Sequence, residues 1–159
     1  MLDLLHEGFL GTQAPRYADL ALLFEIIMGL VLLLGALLAR QGRYRLHAWC
    51  QSSVVLLNFA VIAVLMVPSF QLHVAPKIPA KLGKVSYALA TAHAALGFLA
   101  EIAGLYILLA AGTRVLPQPL RLSRYKLWMR SVIVLWWLVL LLGLMTYVRW
   151  YVPTVRWNA

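Results

Sequence analysis

The sequence predicts an all-α integral membrane protein of four transmembrane helices, and three observations carry that prediction. Of 159 residues, 64% are hydrophobic and only 12% charged, far more apolar surface than a soluble core of this size buries. The apolar residues fall into four runs, each about 20 residues or longer, the length at which a helix crosses a bilayer. The basic residues behind the net charge of +9 cluster in the short segments between those runs, where membrane topology places them. That clustering argues against a nucleic-acid partner. A single cysteine, Cys50, excludes an internal disulfide and a multi-cysteine metal site, and reads as apolar filler near a helix end.

At the N-terminus Leu2, Leu5, His6 and Phe9 share one apolar side at helical spacing. A short interfacial helix is predicted there, broken by Gly8, Gly11 and Pro15. MLDLLHEGF has acids where a signal peptide needs Lys or Arg, and a full-length span follows, so no cleavage is expected. The first span is predicted over residues 18–39, with Asp19 near its N-terminal end, Glu25 two turns inside, and Arg40, Arg43 and Arg45 stopping it. The second is predicted over 46–67; it holds Gln51, Ser52, Ser53 and, near its middle, Asn58, and Pro68 is expected to close it. Residues 69–84, with His73, three lysines and two prolines, read as a connection too polar and broken to span. The third span is predicted over 85–111. A basic loop with Pro117 and Pro119 leads into the fourth, predicted over 126–147, and Trp150, Tyr151 and Trp157 suit the aromatic belt at headgroup level.

Orientation follows from Lys and Arg. With the N-terminus outside, eight inner positives (Arg40, Arg43, Arg45, Arg114, Arg121, Arg124, Lys126, Arg130) face six outer ones, and the inner set is packed beside the span ends. This predicts an N-out, C-out protein, expected in the cytoplasmic membrane of a bacterium. A faint internal repeat is also legible: Glu25-Ile26, Gly29-Leu30 and Arg43-Tyr44-Arg45-Leu46 are echoed by Glu101-Ile102, Gly104-Leu105 and Arg124-Tyr125-Lys126-Leu127. A parallel 2+2 arrangement would make Glu25 and Glu101 pseudo-equivalent and set them at comparable depth.

The third span carries the most informative stripe: His93, Gly97, Glu101 and Gly104 lie on one helical face. Ionisable groups cost about 2.5–3.5 kcal/mol each at membrane depth, so they face the bundle interior and need partners. At about 1.5 Å per residue, Glu25 comes level with His93 in the outer half and Asn58 with Glu101 near the middle, so those two contacts are expected. Three readings of these groups follow. In the first they are interhelical glue. In the second, His6, His73 and His93, which fall toward the outer side with Met66 and Met145 nearby, hold copper, zinc or a haem iron, with Glu25 behind His93 and His47 alone at the inner end. No HxxxH or CxxC spacing fixes such a site. In the third, Glu25 and Glu101 handle protons or a quinone head docks beside His93 and Tyr106, although two acids without a continuous polar line do not make a path. Trp136 and Trp137 read as packing. There is no nucleophile elbow, phosphate loop or dinucleotide fingerprint, so an enzyme is not the favoured class.

The basic Arg45-Leu46-His47 opening span two, a His just after it, a His early in span three and the basic start of an apolar last span resemble the small four-helix membrane family of CtaM/YozB type. The resemblance covers about residues 40–148. That family is associated with maturation of haem–copper cytochrome oxidase and carries four characteristic histidines. His47, His73 and His93 correspond to the first three; the fourth is missing from Tyr125-Lys126-Leu127-Trp128-Met129-Arg130. The resemblance implies an accessory or assembly protein of a respiratory or related membrane complex, binding copper or haem b at the outer His73 and His93. The rival expectation is a cofactor-free structural subunit that packs against other membrane subunits through its small-residue and aromatic faces. A proton- or quinone-handling redox protein comes third.

Overall fold

The computed structural model describes residues 8–112, 117–118 and 123–152. Its four helices are long and apolar enough to cross a membrane: α1 (Arg16–Arg40), α2 (Tyr44–Lys81), α3 (Val85–Gly112) and α4 (Tyr125–Tyr151). The expected interfacial helix falls mostly outside the described residues, with Leu2, Leu5 and His6; Phe9 sits in a non-helical segment. Trp157 also lies outside them.

α1 ends in a left-handed turn that the arginines alone did not announce. Gly42 has φ +75, its N–H donates to the Ala39 carbonyl and that of Arg43 to Leu38, so the last carbonyls of α1 are capped in a Schellman motif. The chain reverses within three residues into α2, and His47 and Gln51 there donate to the Gly35 (2.8 Å) and Leu32 (3.4 Å) carbonyls of α1. A side chain at Gly35 would run into Gln51 and Cys50, so its absence sets how closely this hairpin packs.

The second helix corrects the sequence reading. Pro68 does not close it: α-helix Tyr44–Val61 passes into a π turn, Ile62–Met66, and continues as α-helix Val67–His73, a 3-10 turn Ala75–Lys77 and a last turn Ile78–Lys81. A proline in a regular helix lacks the N–H for the carbonyl four residues back and collides with it. The π turn, in which the Val67 N–H reaches back to the Ile62 carbonyl, opens the helix just ahead of the ring and lets the rod go on. What reads as a broken connection is therefore largely helical, and the apolar helix runs on past the predicted stop in short segments to Lys81. His73 consequently arrives beside the start of α1, its ring stacked on Tyr17 at 6.3 Å.

The α1–α2 and α3–α4 hairpins close into a bundle through α1 on α4 and α2 on α3. Met28, Leu32 and Val54 form the buried core, with Phe24, Val31 and Trp136 against it. The main packing of α2 on α3 comes from Tyr44–Val61, whereas the π turn packs on α1. Beyond the π turn α2 and α3 diverge.

The end of the bundle that carries both ends of the described chain, the terminal end, is tied by a fully buried carboxylate. Asp19 accepts from the Phe9 (2.6 Å) and Leu10 (2.8 Å) amides on Oδ2 and from the Tyr147 hydroxyl (2.6 Å) on Oδ1. Because the Tyr147 proton goes to Asp19, the Thr12 hydroxyl donates to Tyr147 (2.7 Å) and accepts from the Ala14 N–H (3.2 Å). Asp19 is thus less a dipole partner of α1 than the anchor of residues 8–14. Gly8 belongs to the same lock: a Cβ there would strike the Asp19 carboxylate and the Ala14 carbonyl.

Candidate functional site

Where α2 and α3 diverge, the bundle holds a cavity of about 530 Å³ that reaches from Tyr17 and Tyr151 at the terminal end to Leu32 in the middle of α1. Its walls are largely Ala, Leu, Met and Phe, and its polar groups are few: Glu25 and His93 in the wall, Asn58 deeper, and Ser69, Gln71, Thr146 and the tyrosines near the terminal end. Met66 also lines it, from the π turn.

Glu25 and His93 meet, Oε1 to Nε2 at 3.4 Å. The second ring nitrogen, Nδ1, lies 3.0 Å from the Val139 carbonyl of α4. A carbonyl only accepts, so Nδ1 carries a proton, and one further proton lies between Nε2 and the Glu25 carboxyl. Whichever atom holds it, the pair is neutral overall, which is the form a low-dielectric site tolerates. Three helices converge here because of Gly143: a Cβ at that position would overlap the Glu25 carboxylate and stand 2.8 Å from His93 Cε1. The sequence reading paired the ionisable groups but missed Gly143 and the Val139 carbonyl, which only the facing of α4 selects. A glycine in the apolar run LLLGLM was the available signal.

Asn58 Nδ2 donates to Glu101 Oε2 at 2.7 Å, joining α2 to α3. Glu101 is 4% exposed and its Oε1 has no partner among the described residues. Trp136 donates to the Ala100 carbonyl at 3.2 Å, whereas the indole N–H of Trp137, whose ring lines the cavity, is likewise unpartnered. Glu25 is level with His93, eight residues and so about 12 Å from Glu101 along α3, which corrects the comparable depth expected of a repeat. A second, smaller cavity of about 150 Å³ lies toward the opposite end, beside His47, Gln51, Ser52, Gly104 and Met129.

The candidate metal donors are not assembled. His73 stacks on Tyr17, eight residues up α1 from Glu25 and so about 12 Å from the Glu25–His93 pair. Both ring nitrogens of His93 face protein groups, His47 is bonded to Gly35, and His6 lies outside the described residues. Among the described residues no three of His, Cys, Asp and Glu stand where they could hold one metal ion. Tyr106 is thirteen residues beyond His93, about 20 Å along α3, so it does not share the cavity. Within the chain, Gly97 of the small-residue stripe faces Val139 and Gly104 faces Val55 and Trp136. Compared with family models, curated proteins and solved structures, the chain matches none.

Proposed function

We propose that this protein binds a lipid-soluble molecule with a flat, hydrogen-bonding head, of the quinone class, and serves as an accessory protein of a respiratory or related membrane complex. The observation that carries the reading is the Glu25–His93 pair in the wall of a largely apolar cavity. Its volume of about 530 Å³ is within the roughly 300–1,000 Å³ usual for small-molecule sites. An apolar tail suits the walls and adjacent lipid. A quinone carbonyl accepts a hydrogen bond from the Glu25 carboxyl in its protonated form, which then gives up its contact with His93. A fatty-acid head fits less well, because a second carboxylate would be set beside Glu25 at membrane depth.

The test is titration of the purified protein with a short-chain ubiquinone analogue, followed by tryptophan quenching, alongside organic extraction of the protein as isolated. Saturable quenching that weakens about tenfold or more in Glu25→Gln, the size of one charge-assisted hydrogen bond, is the expected result. A cofactor-free structural subunit is the second reading, favoured by the fact that both His93 nitrogens are already satisfied within the protein. It predicts no saturable quenching and no extracted quinone, which would overturn the first.

A further inference from the structure

The two cavities lie toward opposite ends of the bundle and adjoin at shared side chains. Leu32 and Trp136 line both. Glu101 stands at that junction: Ala100, just before it, faces the large cavity, and Gly104, one turn on, faces the small one. Its partner Asn58 reaches the large cavity, while its own Oε1 is buried with no hydrogen-bond partner among the described residues. A buried carboxyl oxygen left unsatisfied costs about 1–3 kcal/mol, more if charged, and such groups persist at membrane depth where they handle ions or protons.

We propose that the two cavities and Glu101 form a gated proton route across the bundle, with Glu101 as the carrier and the Leu32–Trp136 layer as the barrier. On the terminal side the Glu25–His93 pair and Asn58 line the approach; on the other, Ser52 and Gln51 are among the few polar groups of a mostly apolar space of about 150 Å³. A hydronium on one side gives its proton to the Glu101 carboxylate, its O–H bond breaking as the carboxyl O–H forms; the carboxyl O–H then breaks as the proton passes to a water on the other side, which becomes hydronium. Nothing is oxidised, and one positive charge crosses per proton. The proposal does not depend on a ligand in the large cavity.

The experiment uses the full chain reconstituted in phosphatidylcholine–phosphatidylglycerol vesicles with a pH-sensitive dye inside and a potassium gradient with valinomycin to balance charge. Leu32→Ala thins the barrier and is expected to carry protons severalfold faster than protein-free vesicles. Adding Glu101→Gln should return the rate to the protein-free value, and Glu101→Asp should keep a substantial part of it, with all variants eluting and scanning as folded helical protein. Leu32→Ala at the protein-free rate overturns the proposal. So does a Leu32→Ala flux that survives Glu101→Gln, because that is leakage through a loosened bundle, and so does equal loss with Asp and Gln, because that is a structural defect.

Discussion

At the scale of single residues, the decisive position is one with no side chain. Gly143 makes room for Glu25 and His93 to meet against α4 and for His93 to reach the Val139 carbonyl. Gly143→Ala therefore should push these groups apart and destabilise the bundle by about 1–3 kcal/mol, the usual cost of overfilling a packed site. Thermal unfolding in detergent checks this; an unchanged midpoint would mean that α4 moves away at no cost. Gly97→Ala is the contrasting case, since the added methyl would stand 3.5 Å from Val139 Cγ1, an ordinary contact, and little change is expected. The glutamates, Asn58 and His93 were legible at this scale because a charged or amide group in an apolar run stands out and its depth follows from residue counting. Gly143, Val139 and the Asp19 lock were not, because each depends on which way a neighbouring helix faces. In helices apolar nearly all round, no polar stripe records that facing.

At the scale of elements, the π turn in α2 governs the large cavity. It adds one residue to a turn, so its loss would rotate everything beyond it by about 100° relative to Tyr44–Val61. Phe70 and Val74 line the cavity in the present register. Replacing Pro68 with Ala restores the missing N–H and removes the steric reason for the π turn. In a Cys50→Ser background, Val74→Cys is expected to resist a membrane-permeant maleimide, since Val74 is buried, and to become reactive when Pro68→Ala is added. Equal reactivity with and without Pro68 would show that the turn is held by packing on α1 instead. Proline within an apolar run reads as a stop from sequence because the rule comes from regular helices; a π turn one step earlier escapes it, and nothing in IAVLM announces one.

At the scale of the whole molecule, the four helices bring both described chain ends to one end of the bundle, where the Gln13 N–H donates to the Tyr151 carbonyl. The positive-inside argument predicts that this end is outside. In the same Cys50→Ser background, Lys77→Cys is expected to react with a membrane-impermeant maleimide in intact cells and Ser123→Cys only after permeabilisation. The reverse pattern would invert the orientation, leaving the fold untouched.

The sequence by itself determined that this is a membrane protein, where α1 and α3 run, and that Glu25 pairs with His93 and Asn58 with Glu101. Composition and residue counting carry those properties along one dimension, the membrane normal. Only the tertiary structure decided the rest: the continuous α2, the Asp19 lock, the separation of His73 from His93, and the two cavities meeting at Glu101. These depend on how each helix is rotated about its own axis and where α2 departs from regular geometry. In lipid the hydrophobic effect no longer sets that rotation, so contacts between close-packed helices do.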